Sequence, residues 1–218
     1  MAYERKLALN RLARTSVTRP PARGNQCGKC HDSGEHMELI RPVREGDAPA
    51  VRHVLEHAFP TRAEADLVER LRANGTAVIE LAALDGDSIV GHILFSPVTL
   101  EPLAGTVGLG LGPVAVMPDH EKHGVGRRLI QNGVAASHKW GAGFVVVIGD
   151  PAYYGRFGFE PADKYRLRNE FGAPGSFMVF KLESGALPPP ETLVKYAPEF
   201  ADAAKPRGRR KKDAGRNR

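Results

Sequence analysis

Apolar positions change period several times along this chain, and the changes divide its middle into elements. Leu39 to Val43 has the length and alternation of a short strand. Beyond Asp47, the residues Ala50, Val51, Val54, Leu55 and Ala58 recur at three- and four-residue spacing. That spacing predicts a helix with Asp47 as its cap. Thr61-Arg62-Ala63-Glu64 has the form of a capping box and predicts a second helix through Leu67, Val68 and Leu71, stopped at Asn74-Gly75. Thr76 to Leu84 and Ser88 to Leu100 read as strands joined by a hairpin turn at Asp85-Gly86. After the Pro102–Gly105 loop, Thr106 to Met117 reads as a strand and Gly124 to Trp140 as a helix with Val125, Leu129, Val134 and Trp140 on its apolar side. Phe144 to Ile148 and Phe177 to Leu182 are further strands. The order βααβββαβαβ predicts a mixed α/β (α+β) fold with antiparallel hairpins and at least one βαβ crossover.

The ends differ from this middle. Residues 1–36 carry a net charge of +4 and contain Arg19-Pro20-Pro21-Ala22-Arg23-Gly24-Asn25, with few large apolar residues. That composition predicts a disordered or non-native N-terminal extension. Residues 205–218 carry +7 and read as a disordered basic tail. The total is +6, which leaves −5 for residues 37–204, the expected domain. Such a body suits a cationic substrate, and nucleic acid would find its charge only in the basic C-terminal tail. The tail lacks interleaved aromatics, so a nucleic-acid partner is not expected. No apolar run reaches the length of a membrane span and the N-terminus lacks an apolar signal core, so no membrane is expected and the location is read as cytoplasmic. The chain is compatible with a homodimer.

Candidate chemistry lies at Pro113-Val114-Ala115-Val116-Met117-Pro118-Asp119-His120-Glu121-Lys122-His123-Gly124-Val125-Gly126-Arg127-Arg128. A buried strand runs through a glycine-bearing turn into a helix. A helix start offers free amides and a partial positive charge, which suits a pyrophosphate. Gly124 and Gly126 would let phosphate oxygens approach the backbone, and Arg127 and Arg128 add charge. Further on, Asp150 is a good helix cap before Pro151.

Glu121-Lys122-His123-Gly124-Val125-Gly126 resembles the Q/R-x-x-G-x-G/A acyl-CoA motif of the GNAT superfamily, with Glu121 where Gln or Arg is usual. Tyr154-Gly155-Arg156-Phe157-Gly158-Phe159 resembles that superfamily's Y-x-x-x-G-F segment. More closely, Gly91–Val98, Leu111–Val116, Gly149–Ala162, Phe177–Leu182 and Val194–Tyr196 resemble its YhbS-type branch, over about residues 37–200. The resemblance implies the GNAT acyl-CoA N-acyltransferase fold, with a mixed, mostly antiparallel central sheet and flanking helices. It implies an N-acetyltransferase that moves acetyl from acetyl-CoA to a primary amine of a small molecule or protein by direct attack in a ternary complex. An inactive CoA-binding regulatory module is the alternative. Acetyl-CoA is the cosubstrate and no metal is implied.

The same resemblance supplies roles. Val114–Val116 would splay from Phe144–Ile148 to admit the pantetheine arm, and a strand amide there would polarise the thioester carbonyl. Implied acetyl-CoA contacts are Val114, Ala115, Val116, Lys122, His123, Gly124, Val125, Gly126, Arg127, Arg128, Asp150 and Tyr153. Tyr154 matches the acid that protonates the leaving thiolate. The base is less plain, because Thr106–Gly112 holds no carboxylate. His92, Glu64, His57 and a water chain are the candidates. His92 has a suitable reference pKa of about 6.5, and Glu64 is assigned first to its capping box. Acceptor selectivity is expected from the first two helices and the loops at Phe59–Thr61 and Glu101–Gly105.

Two signals are set aside. Gly108-Leu109-Gly110-Leu111-Gly112 looks like a dinucleotide fingerprint but runs into Pro113 and a strand, not a helix. Cys27-Gly28-Lys29-Cys30-His31 matches a haem-attachment pattern, or the start of a zinc site with His31 or His36, yet free thiols are the simpler expectation in a reducing compartment.

Overall fold

A computed structural model describes residues 39–182 and 187–203. The N-terminal extension with its Cys27–His31 cluster, and the basic run from Lys205, lie outside the described residues. The elements are β1 (Leu39–Pro42), α1 (Ala48–Ala58), α2 (Ala63–Ala73), β2 (Ile79–Asp85), β3 (Ser88–Pro97), β4 (Thr99–Glu101), β5 (Gly108–Val116), α3 (Val125–Trp140), β6 (Phe144–Ile148) and α4 (Pro151–Tyr154). They continue with β7 (Glu160–Pro161), β8 (Arg168–Asn169), β9 (Phe177–Lys181), β10 (Leu193–Lys195) and α5 (Glu199–Ala203). Seven strands form one sheet in the order β1-β2-β3-β5-β6-β9-β7. Its one parallel pair is β5–β6, joined by α3 as the crossover; every other pair is antiparallel. The mixed, mostly antiparallel sheet with flanking helices thus agrees with the expected fold. Among the described residues no helix is long and apolar enough to cross a membrane.

Strand alternation feeds two cores. Ile93 and Phe95 of β3 pack with Leu129 and Ile130 of α3, while Leu94, between them, packs with Val54, Leu55 and Leu71 of α1 and α2 on the opposite face. A three-stranded sheet, β4-β10-β8, was not legible in the sequence. The apolar run Ser88–Leu100 reads as one strand, but it breaks after Pro97, which has no amide to continue a ladder. The chain then passes into the second sheet, where Val194 pairs Leu100.

Two predicted caps form differently. Asp47 precedes α1 but makes no side-chain cap. Its carboxylate instead accepts from Arg41 at 2.5 and 3.0 Å and from the Arg44 amide at 2.7 Å. At the second helix, the Thr61–Glu64 capping box does not form. Arg62 is the cap residue, and the Thr61 hydroxyl accepts from the Ala63 amide at 3.3 Å while donating to the Glu64 carboxylate at 3.4 Å. The helix starts later than a capping box requires, and Glu64 is left free to face elsewhere.

The five-residue glycine pattern at Gly108–Gly112 has a packing origin. A Cβ on Gly108 would lie 2.1 Å from the Phe144 ring, and one on Gly110 would lie 2.6 Å from the Tyr196 ring. Those glycines seat aromatic rings against the sheet.

Candidate active site

The site begins with an irregularity in β5. Ile93 pairs Val114 and Phe95 pairs Leu111, so Leu94 alone opposes both Gly112 and Pro113. This is a β-bulge at a residue that cannot donate to the ladder, and a bulge bends its strand. On the other side, β5 pairs β6 only from Gly108↔Phe144 to Gly110↔Val146. Beyond that point the two parallel strands part company. The sequence carried the signal: Gly112-Pro113 sits in the middle of an otherwise apolar strand.

Val114 and Val116, on the divergent half of β5, line a cleft of about 360 Å³. Tyr153 and Tyr154 of α4 close it, and Lys122 and Gly126 form its end at the start of α3. Gly124 caps that helix in a left-handed conformation, φ 87°, with no side chain bonded to the first turn and no acidic residue within it. A non-glycine residue would be strained there. The first-turn amides have no side-chain capping acceptor at the helix end where Gly126 lines the cleft, which suits a phosphate anion. Lys122 also has positive φ, 64°, so the turn coils tightly ahead of the helix.

Tyr154 is mostly buried, and burial pushes its phenol up to about 12. It stays a neutral donor throughout the neutral range. Its ring meets Tyr153 edge-on at 5.1 Å and Phe159 at 5.6 Å, so α4 is held by aromatic packing. Arg156 stacks over Tyr153 at 4.8 Å from the ring centre. At the head of α4, Asp150 accepts from the Ala152 amide at 2.9 Å, as its position predicts.

A second cavity, of about 470 Å³, lies beside the first and shares Phe59, Val114 and Tyr154 with it. Leu67, Leu111, Ile148, Phe171 and Phe200 supply apolar walls, and Glu64 is its one charged lining residue. Phe59 belongs to the loop expected to govern selectivity. The Glu101–Gly105 loop lines neither cavity.

The expected acetyl-CoA contacts thus divide. Val114, Val116, Lys122, Gly126 and Tyr153 line the first cleft together with Tyr154. Gly124 shapes the helix start, and His123 and Arg127 are exposed beside it. Arg128 folds back on the turn, its guanidinium 3.4 Å from the His123 carbonyl. The side chains of Ala115 and Val125 are buried in the two cores, so only their backbone is available to a ligand. Asp150 acts as a cap outside the cleft lining. Ala58, Phe59, His120 and Glu121 also line the cleft and were not among the expected contacts. Glu121 holds the first position of the glycine motif, which is the signal that could have marked it, whereas nothing in the sequence marks His120.

His92 is placed elsewhere. It is fully buried on the α1/α2 face of β3 and lines neither cavity. Its Nε2 lies 2.7 Å from Glu80, which also accepts from Arg72 Nε at 3.0 Å. Burial lowers the His92 pKa, and the Glu80 carboxylate offsets this only in part. A neutral ring donating Nε2–H to Glu80 fits that environment, with Nδ1 lacking a partner among the described residues.

Comparisons with known proteins cover the segment that builds the cleft. The acetyltransferase (GNAT) domain model matches residues 39–162. The uncharacterised N-acetyltransferase YhbS of Escherichia coli (strain K12) is 35% identical over 164 residues, covering 74% of this chain and 98% of that protein. A crystal structure of Escherichia coli YhbS in complex with CoA superposes with a TM-score of 0.72 at 32% identity, over 79% of this chain and 96% of that one. A GNAT family acetyltransferase from Brucella melitensis in complex with acetyl-CoA gives 0.63 at 31% identity, over 76% and 99%. With its family model spanning more than half the sequence, and with the diverging strands, uncapped helix and buried tyrosine of one cleft inside the match, the chain belongs to the GNAT family of N-acetyltransferases.

Proposed function

We propose that this acyltransferase moves the acetyl group of acetyl-CoA to a primary amine by direct attack in a ternary complex, and that residues 37–204 are its catalytic domain. The observation that carries the reading is the parting of β5 from β6 beside the uncapped start of α3, with Tyr154 at the junction. The neighbours that contain CoA and acetyl-CoA support the choice of acyl donor. Amides at Gly124, Val125 and Gly126 take the pyrophosphate, with Lys122, Arg127 and Arg128 adding positive charge. The divergent edge of β5 at Val114–Val116 takes the pantetheine amides and offers an amide to the thioester oxygen.

The chemistry then balances. The neutral amine attacks the carbonyl carbon, and the oxygen takes negative charge against the strand amide. The nitrogen loses a proton to water, the C–S bond breaks, and the sulfur leaves as a thiolate that Tyr154 protonates or hydrogen-bonds. The raised Tyr154 pKa of about 12 makes full proton transfer to a thiolate of reference pKa about 8.5 uphill. Donation of a strong hydrogen bond to the developing charge is accordingly its main contribution, with solvent completing protonation. No carboxylate stands on β5, His92 and His57 line neither cavity, and Glu64 lines only the second one, so we assign the amine proton to a water path. Acetyl-CoA and an amine are both at hand in the cytoplasm, the location expected from the sequence.

The test is calorimetric titration of acetyl-CoA into the full chain and into Gly124→Glu, followed by thiol release with an amine panel. Binding that Gly124→Glu abolishes, with turnover, supports the reading. Binding without turnover on any amine would favour a CoA-binding regulatory module instead.

A further inference from the structure

The second cavity adjoins the first. Phe59, Leu67, Leu111, Ile148, Phe171 and Phe200 make most of its wall, Tyr154 and Tyr196 also line it, and Glu64 is the one charged side chain there among the described residues. At about 470 Å³ it falls within the range of small-molecule sites. It opens beside Tyr154 and Val114, the residues it shares with the acyl-CoA cleft, so a molecule seated there has its end at the thioester position.

Glu64 has no cationic partner among the described residues, and its carboxylate receives only the Thr61 hydroxyl at 3.4 Å. Its acidic neighbours on the same two helices are taken. Arg52 holds Glu56 at 3.0 Å, Asp66 at 3.2 Å and Glu69 at 2.8 Å. A carboxylate on the lining of a largely apolar cavity, with no cation beside it among the described residues, is placed to receive an ammonium. The apolar walls, by contrast, would strip water from any second charge on the same molecule without repaying it.

We infer that this cavity seats a primary monoamine with an apolar body, aromatic or branched aliphatic, whose ammonium is held by Glu64. The inference rests on the reading that acetyl-CoA occupies the neighbouring cleft. Glu64 is a binding residue in this scheme. The ammonium docks against its carboxylate, and the amine reaches the thioester after losing its proton to water. Polyamines and amino acids, which carry a second charge, fit the walls poorly.

The experiment uses the full chain with acetyl-CoA and three amines: phenethylamine, putrescine and free phenylalanine. Acetyl-CoA affinity is measured separately by calorimetry. Phenethylamine is expected to show kcat/KM at least about tenfold above the other two, the scale of one unrepaid buried charge. Glu64→Gln is expected to raise the phenethylamine KM by about tenfold to a hundredfold, with acetyl-CoA Kd and Tm little changed. Glu64→Asp, which keeps the charge, should recover part of that loss. If acetyl-CoA binds and putrescine or phenylalanine is preferred, or Glu64→Gln leaves KM unchanged, the inference is overturned while the acetyltransferase reading stands. If acetyl-CoA does not bind, both fall together.

Discussion

The Tyr153 hydroxyl stands 2.9 Å from the point where a Cβ on Gly126 would sit. Helix α4 and the first turn of α3 therefore meet across the cleft with no room for a methyl group. Alanine at Gly126 would be favoured within a helix by about 1 kcal/mol, so the stability of α3 alone should not suffer. The phenol, however, lines the cleft and must shift. Gly126→Ala is expected to weaken acetyl-CoA binding by about tenfold or more while Tm changes by only a few degrees. Adding Tyr153→Phe, which removes the clashing oxygen, should restore part of the affinity. Calorimetry on the single and double variants reads both outcomes, and an unchanged Kd in Gly126→Ala would remove this junction from the binding site.

Tyr154 is expected to matter to turnover and not to acetyl-CoA affinity. Tyr154→Phe keeps the ring that packs on Tyr153 and Phe159 and deletes only the donor. A fall in kcat of about a hundredfold, with Kd for acetyl-CoA within about threefold, is the expected pattern. Burial also holds the phenol protonated up to about pH 12. The kcat profile should accordingly show no alkaline fall between about pH 7 and 10, since the ordinary tyrosine range does not apply here. An alkaline limb in that interval that disappears in Tyr154→Phe would contradict the buried donor.

Much of this site was legible in the sequence because its parts are local. The strand into Gly124-Val125-Gly126 into helix is one continuous segment, and so is Asp150-Pro151-Ala152-Tyr153-Tyr154. Both form as their short-range rules predict. What was missed depends on partners far along the chain. Arg41 takes the Asp47 carboxylate that should have capped α1, and β10 takes the end of the run that reads as one strand with β3. Glu64 was absorbed by a capping box on local grounds, and the cavity it lines is assembled from Leu67, Ile148 and Phe200 across the whole domain. His92 lies on a strand beside the active strand, but the alternation of β3 turns it to the face covered by α1 and α2. One residue of phase decided that, and candidate chemistry on a strand cannot be read without it.

His92 is expected to support the fold and not the reaction. It is fully buried and donates to Glu80 at 2.7 Å. His92→Leu removes that bond and leaves Glu80 with Arg72 as its remaining partner. A loss of about 1–3 kcal/mol follows from one buried, charge-assisted hydrogen bond. For a chain of this size that is a Tm fall of several degrees. At a temperature where the variant stays folded, kcat should remain within about twofold of the parent. A hundredfold drop in kcat with an unchanged Tm would return His92 to the catalytic list.

Acid should unfold this domain in two stages, and the groups responsible lie away from the cleft. Burial lowers the His92 pKa, so the unfolded chain binds its proton first, from about pH 6.5 downward. Stability that His92 contributes is therefore complete above that pH and declines below it. Burial pushes the Glu80 carboxyl up, but the hydrogen bonds from His92 and Arg72 more than reverse this and hold it below the ordinary range. Asp47 is held at about 2 by the Arg41 hydrogen bonds. Both carboxylates stabilise the fold above their unfolded values near 4, and that contribution is lost as pH falls through the folded ones. Tm should hold steady from about pH 8 to 7, slope gently down to about pH 5, and fall steeply below about pH 4. In His92→Leu the gentle slope should flatten while the steep fall remains. A slope that survives the substitution would mean another histidine unfolds the domain, and the buried His92–Glu80 pair would lose its place in the acid response.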